Sequence, residues 1–246
     1  MLTSSAFYYR LYPSTFSANS SVIALYEADF IVSEISADTF AEHGISLPER
    51  FENMVAKRRC EYLVSRLCAR QALEEIGCTQ NTDIRNNTDR SPVWPDGFTG
   101  SFTHTTTRAA ACVTRSDHIR SAGLDIEPVV SSELYRNLYQ EVLTPGDIAL
   151  SARVTGEKLT TEAFFTLVFS AKETLFKAIY KDVGYIFGFE AATVTDIKQD
   201  TLTIKLNQTL SELWPEGSLI HIRYMFRGDC VYTLLLIGAV KDDGHC

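Results

Sequence analysis

Two short segments hold the residues of this chain best suited to chemistry. The first, Gly123-Leu124-Asp125-Ile126-Glu127, sets two carboxylates at i and i+2 in an otherwise apolar run. Residues two apart in a strand point to the same face, so Asp125 and Glu127 project together while Leu124 and Ile126 pack on the other side. Neighbouring carboxylates repel unless protons or a cation neutralise them. Mg2+ takes oxygen ligands and commonly joins one or two carboxylates to substrate phosphates and water. The second segment, Phe169-Ser170-Ala171-Lys172-Glu173-Thr174-Leu175-Phe176-Lys177, puts Glu173 and Lys177 at i and i+4 of a predicted helix. Thr166, Ser170, Glu173 and Lys177 form one polar stripe on it. Phe164, Phe165, Val168, Leu175, Phe176 and Ile179 make the remaining circumference apolar enough for a largely buried helix. The stripe therefore faces solvent or a site. Three carboxylates and a lysine brought together suit a divalent cation holding a phosphate, with the ammonium stabilising charge on a leaving group. Taken singly, each pattern also fits a solvated edge strand or a surface Glu–Lys pair.

Other residues could receive phosphate. Gly100-Ser101-Phe102-Thr103-His104 opens a predicted strand, where the glycine permits close backbone approach and Ser101, Thr103 and His104 offer hydrogen bonds. Arg59, Arg66 and Arg70 share one side of a predicted helix, with Lys57 and Arg58 beside them and Arg90 in the loop that follows. The planar guanidinium fork suits phosphate, although a solvated basic face has the same pattern.

The elements that must hold these residues alternate. Val22 to Phe30 reads as a strand. Ser46-Leu47-Pro48-Glu49 has the form of a helix start, and the helix runs from Pro48 to Ile76, with room for a break, to Gly77 as the residue after its end. Cys78 to Gly100 is a long polar loop of the sort that tends to be functional. Gly100 to Thr114 and Ser121 to Pro128 read as two strands joined by the turn around Ser116-Asp117-His118. A short helix at Tyr135 to Leu143 is broken or followed by another at Thr144-Pro145-Gly146-Asp147. A strong helix spans Thr160 to Lys181, and strands follow at Ala192 to Ile197, Thr201 to Leu206, Leu219 to Phe226 and Val231 to Val240. Each half thus offers strands and a long helix, without a sequence repeat.

The bulk properties narrow the function. With 246 residues, 45% hydrophobic and 22% charged, the chain has the composition of a soluble globular protein. Its net charge of −8 lacks the basic footprint of general nucleic-acid binding. Six cysteines form no CxxC pair and no zinc spacing, which reads as free thiols in a reducing cytoplasm. Met1 to Ser21 lacks the apolar stretch of a signal peptide, and no run is long and apolar enough to span a bilayer. Phosphate loops of the Walker or G-x-G-x-x-G type are absent, as is a nucleophile elbow.

The order of the motifs is more specific than any one of them. Gly123-Leu124-Asp125-Ile126-Glu127 followed by Phe169-Ser170-Ala171-Lys172-Glu173 and Lys177 resembles the two signatures of the 4′-phosphopantetheinyl transferases. Arg66-Leu67-Cys68-Ala69-Arg70, Arg90-Ser91-Pro92-Val93-Trp94-Pro95 and Gly100-Ser101-Phe102-Thr103-His104 resemble its long Sfp-type branch, in particular the enterobactin synthase component D group that serves siderophore synthesis. The resemblance implies an α/β (α+β) pseudo-dimer of two similar halves, residues 1–123 and 124–246, each a small antiparallel sheet with a long helix. Coenzyme A is expected in the cleft between them, with Mg2+, or Mn2+ in its place. The enzyme would be a cytoplasmic monomer. It would move the phosphopantetheine arm to a serine of an aryl, peptidyl or acyl carrier protein and release 3′,5′-ADP. Carried over by residue, Asp125, Glu127 and Glu173 would hold the metal, and Glu173 would instead, or also, deprotonate the carrier serine. Lys177 would neutralise the departing phosphate. Ser101, Thr103 and His104 would contact the nucleotide end, His104 at the 3′-phosphate, while Arg59, Arg66, Arg70, Arg90 and Lys172 are further candidates for the coenzyme A contacts. Two departures stand out: Ile126 sits where some members carry a third acid, and Thr174 replaces the usual Ala or Ser. Rival readings are a Mg2+-dependent enzyme acting on another nucleotide pyrophosphate and a catalytically silent coenzyme A or carrier-binding module.

Overall fold

The computed structural model describes residues 7–16, 23–156 and 159–239, in two compact units. The first, Met1–Ser121 with Gly238–Cys246, contains β1 (Tyr9–Pro13), β2 (Ile23–Phe30), α1 (Ala37–Glu42), α2 (Ala56–Glu75), β3 (Phe98–His104) and β4 (Arg108–Arg115). Its four strands form an antiparallel sheet in the order β1-β2-β4-β3. Helix α2 lies on one face, where Leu63, Val64, Leu67 and Leu73 meet Ala24, Ala28, Ala109, Ala111 and Val113. Small side chains at these sheet positions let the helix settle close to the strands.

Helix α2 starts later than the sequence suggests. Pro48 is not in its first turn; a 3-10 turn covers Phe51–Asn53, and Val55 is the extended residue before Ala56. Phe51 is buried edge-on to Phe40, ring centroids 5.4 Å apart, and this anchor diverts the chain before the helix begins. At the other end Gly77 has φ +80, and the amides of Gly77 and Cys78 return to the carbonyls of Glu74 and Leu73, the closing pattern that favours glycine. The stretch Gly100 to Thr114, read as one strand, is a hairpin of β3 and β4. The turn was hidden in Thr105-Thr106-Thr107: residues of high strand propensity whose first hydroxyl accepts from the amides of Thr107 and Arg108.

The second unit, Ala122–Ile237, takes in most of β5 (Ile119–Pro128), then α3 (Ser132–Val142), α4 (Pro145–Val154), α5 (Thr161–Val183), β6 (Ala192–Ile197), β7 (Thr201–Leu206), β8 (Leu219–Arg227) and β9 (Cys230–Gly238). Its sheet runs β5-β9-β8-β7-β6. The Thr160 hydroxyl caps α5 by accepting from the Ala163 amide, and Gly184, at φ +77, ends it. Along α5, Phe164, Phe165, Leu167, Val168, Leu175 and Ile179 are buried against Val194, Ile204, Ile222 and Val231. Each unit thus joins an antiparallel sheet to one long helix, the mixed α/β architecture expected of the sequence. Elements the sequence did not announce are β1 and the one-and-a-half turns of α1.

Candidate active site

In the second unit, β5 and α5 meet at Gly123. A Cβ added there would stand 2.0 Å from the Thr174 carbonyl oxygen and 3.1 Å from the Ala178 Cβ, so only glycine admits this approach. Because β5 alternates, Asp125 and Glu127 lie on the same side as Gly123 and face the helix. Lys177 Nζ donates to Asp125 Oδ1 at 2.7 Å and to the Leu124 carbonyl at 3.1 Å. Ser170 Oγ donates to Asp125 Oδ2 at 2.8 Å. Behind Ser170 stands Thr233 of β9, fully buried, with its hydroxyl 2.8 Å from that of Ser170 and 2.6 Å from that of Thr174. Ser170 and Lys177 of the polar stripe of α5 therefore face β5 and β9, while Glu173 and Lys177 remain half-buried. Thr233 was not singled out from sequence; a lone hydroxyl inside the apolar run Val231-Tyr232-Thr233-Leu234-Leu235 was the available sign.

Electrostatics tie Glu127 and Glu173 to this pair. Burial first, and then the charge of Asp125, push the Glu127 carboxyl up to about 8, with Glu173 adding to the rise and Lys177 opposing it. Burial likewise raises Glu173, opposed by Lys177 and reinforced by Asp125. A carboxylate shifted in this way gains from a nearby cation, and an all-oxygen donor set fits a hard ion such as Mg2+. As placed, no three His, Cys, Asp or Glu side chains among the described residues are close enough to share one ion; a bound metal would have to complete the gathering.

Lys172, expected at the cofactor, lies elsewhere. Its side chain is 3% exposed, and Nζ donates to Asp147 Oδ2 at 2.7 Å, the Val142 carbonyl at 2.8 Å and the Phe189 carbonyl at 3.1 Å. The three donors of an ammonium thus fasten α5 to the ends of α3 and α4 and to the segment before β6. Asp147 completes the knot by accepting from the Thr144 amide and hydroxyl and the Val194 amide. Lys172 is a core residue, and no donor remains for a ligand.

The first unit holds a basic cavity of about 960 Å3. Arg58, Arg66, Arg85, Arg90 and His104 line it, together with Tyr62 and Glu61. Arg66 is sandwiched, its guanidinium 3.6 Å from the Tyr62 ring centroid and 4.6 Å from that of Phe102, and donates to Asn86 Oδ1 and the Ile84 carbonyl. Buried Glu61 accepts from Arg58 Nη1 at 2.9 Å and stands 3.7 Å from His104 Nδ1. Arg90 has φ +72, a left-handed backbone costing a non-glycine residue about 1 kcal/mol, at the end of a tight turn closed by its amide on the Asn87 carbonyl. Observed strain of this kind accumulates at functional sites.

The arginines named from sequence are split. Arg66 and Arg90 line the cavity; Arg59 and Arg70 do not. Arg59 donates to the Ile35 carbonyl with its guanidinium over the Phe51 ring, and Arg70 donates to the carbonyls of His43 and Gly44, so both brace the chain around α1. One residue is about 100° of helix rotation, which turns Arg59 away from the Arg58-Tyr62-Arg66 row. Steps of four from Arg58 would have found that row. His104 lines the cavity, whereas Ser101 and Thr103, in register with Cys112 and Ala110, point to the other face of the sheet and are buried there.

Comparison with known proteins identifies the family. Residues 47–114 match the model of the 4′-phosphopantetheinyl transferase N-terminal domain, and residues 121–224 that of the 4′-phosphopantetheinyl transferase superfamily. Enterobactin synthase component D of Escherichia coli is 32% identical over 160 residues, 64% of this chain and 72% of the relative. The chain belongs to the 4′-phosphopantetheinyl transferases. Its likeness to enterobactin synthase component D of Salmonella typhi, 28% over 205 residues, covers 82% of this chain and 83% of the relative. The 4′-phosphopantetheinyl transferase PptT of Mycobacterium tuberculosis is 34% identical over 141 residues, 57% of this chain and 60% of that one. The transferase acts on carrier proteins with coenzyme A as its substrate. No helix among its described residues is long and apolar enough to cross a membrane.

Proposed function

We propose that the transferase moves the 4′-phosphopantetheine arm of coenzyme A to a serine hydroxyl of a carrier protein, with release of 3′,5′-ADP and dependence on Mg2+. The observation that carries this reading is the Asp125–Lys177 pair flanked by Glu127 and Glu173, with the carboxyls of both glutamates raised by burial. Asp125, Glu127 and Glu173 would hold the ion, which when bound neutralises the pyrophosphate and orients it for displacement. Glu173, beside Lys177 on the same helix face, is also the candidate to take the serine proton as the serine oxygen bonds to phosphorus. The bond that breaks joins that phosphorus to the bridging oxygen of 3′,5′-ADP. Lys177, already held at Asp125, offers its ammonium to the departing phosphate. The transferase has no need of a nucleophile of its own, because the carrier brings one.

The basic cavity of the first unit is the candidate for the phosphates of the nucleotide end, with His104 at the 3′-phosphate and Arg66, Arg90, Arg58 and Arg85 around it. Kinship with enterobactin synthase component D favours carriers of siderophore synthesis. The described cysteines are free thiols, which supports a reducing compartment such as the cytoplasm; the proposal takes the transferase as a monomer there.

The test is mass spectrometry of an apo carrier protein incubated with the transferase, coenzyme A and Mg2+. A gain of one phosphopantetheine group on the carrier serine, abolished by EDTA, is expected. Glu173→Gln should keep measurable coenzyme A binding and lose transfer. Full transfer by that variant, or undiminished transfer in EDTA, would remove the roles given to Glu173 and the metal. No modification of aryl, peptidyl and acyl carriers despite coenzyme A binding would leave a silent binding module.

A further inference from the structure

Glu61, on α2, is an acid in the lining of the basic cavity, and the proposed function gives it no role. It is 2% exposed. A carboxylate so buried is retained only where partners compensate its lost hydration. Its Oε2 accepts from Arg58 Nη1 at 2.9 Å and lies 3.7 Å from His104 Nδ1, while Oε1 lies 3.6 Å from Lys57 Nζ. Arg58 and His104 also meet each other, Nη1 to Nε2 at 3.4 Å. The side chains of Arg58 and His104 are 60% and 36% exposed. An anion entering the cavity therefore meets the arginine and the histidine, and not the acid that holds them.

These contacts fix where His104 carries its proton. A guanidinium nitrogen can only donate, so at the Arg58 contact Nε2 presents its lone pair, and the ring proton sits on Nδ1, on the side of Glu61. That arrangement is a neutral imidazole with nothing on Nε2 to offer a phosphate oxygen. A phosphate that draws Arg58 to itself vacates Nε2. The ring can then take a proton from solvent at Nε2 and donate it to the phosphate, while the imidazolium so formed faces the Glu61 carboxylate through Nδ1. From β4 the partner of His104 is the uncharged Ala109. The other ionisable groups lining the cavity are Tyr62 and Arg66 of α2, Arg85 and Arg90 of the loop after it, and Glu49 and Arg50 of the segment before it. The arginines among them oppose a positive charge on the ring until the phosphate supplies a negative one. We infer that Glu61 is a positioning residue for the nucleotide phosphate: it aims His104 and Arg58 at one anion and lets His104 gain a proton as that anion binds. This rests on the placement of the 3′-phosphate at His104 proposed above.

The experiment binds coenzyme A and 3′-dephospho-coenzyme A to the transferase by calorimetry, with the same Mg2+ in both, in buffers of different ionisation enthalpy. The pH is about 7.5, one unit above the ordinary histidine pKa of about 6.5. The phosphate itself, with a second pKa of about 6, has almost no proton left to release there. Coenzyme A should take up a measurable fraction of a proton more than its dephospho form. Any proton change at Asp125, Glu127 and Glu173 is common to the two ligands and cancels. Glu61→Gln keeps the shape of the side chain. It should lose the excess uptake and bind coenzyme A about tenfold more weakly, the scale of one charge-assisted bond, with 3′-dephospho-coenzyme A unaffected. Glu61→Asp, which keeps the charge, should recover part of both effects. Lys57→Ala, outside the cavity lining, should match the wild type. Equal proton uptake for the two ligands in the wild type overturns the inference without any variant. So does a Glu61→Gln protein that retains the excess uptake, or one that weakens both ligands alike, which would leave Glu61 a purely structural residue. Equal affinity of the wild type for the two ligands would instead take the 3′-phosphate away from this cavity and overturn the placement on which the inference rests.

Discussion

Replacing Gly123 with Ala tests whether the site depends on the contact between β5 and α5. The added Cβ would lie 2.0 Å from the Thr174 carbonyl oxygen, so strand and helix must part by roughly 1.4 Å to regain ordinary contact. Overpacking of this kind costs about 1–3 kcal/mol; the value here should fall at the upper end because the obstacle is backbone and cannot change rotamer. The same displacement would carry Asp125 and Glu127 away from Lys177 and Glu173, and a misplacement near 1 Å can lower a rate by about 100-fold. Urea unfolding followed by circular dichroism gives the first quantity, and carrier modification by mass spectrometry gives the second. Gly156→Ala is the control: its Cβ would meet nothing within 4 Å, and its effect should stay within about 0.5 kcal/mol. Adding Ala178→Gly should rescue little, because the 3.1 Å contact it relieves is secondary to the one with Thr174. Wild-type stability and wild-type transfer in Gly123→Ala would refute the reasoning.

Three further outcomes are expected. Glu127 is held near pKa 8 in the folded protein without metal, so folded protein retains a proton that the unfolded chain loses; stability owed to this group is full at low pH and falls between about pH 4.5 and 8. Mg2+ binding at pH 7 should accordingly release about one proton, measurable by calorimetry in buffers of different ionisation enthalpy, and a buffer-independent heat would contradict this. Lys172→Met strands the buried Asp147 carboxylate without its ammonium partner and should cost about 3–5 kcal/mol in urea unfolding, with much of the loss recovered by adding Asp147→Asn. His104→Ala should weaken coenzyme A about tenfold, as expected for one charge-assisted bond, while leaving 3′-dephospho-coenzyme A unaffected; equal losses for both would take His104 away from the 3′-phosphate.

Much of the fold was legible because its signals are local. Thr160 and Gly184 bracket α5 as cap and terminator, and Gly77 closes α2. What escaped depended on distant contacts. The start of α2 is set by Phe51 packing on Phe40, and a capping pattern at Ser46 could not reveal that. The candidate site was legible to a similar degree. Asp125, Glu127, Glu173 and Lys177 could be grouped from two strings of sequence because strand and helix periodicity fix which residues share a face. The basic residues could not be sorted so easily. Arg59, Arg70 and Lys172 have the charge a phosphate requires, yet each gives at least one donor to a carbonyl or carboxylate that only the folded chain brings near. Composition reports that a cation is present; only packing tells whether it is available.

The hydroxyls of Thr174, Thr233 and Ser170, linked in series and ending on Asp125, have a further consequence. Ser170 gives its proton to Asp125, and the hydroxyls of Thr233 and Thr174 stand behind it as water molecules do in a second layer around an ion. They form a small, buried counterpart of a solvent shell on that side of Asp125. Were Lys177 to lean from Asp125 toward an incoming phosphate, as proposed above, the carboxylate left behind would keep its Ser170 hydrogen bond, and little reorganisation would be needed at the moment when charge moves.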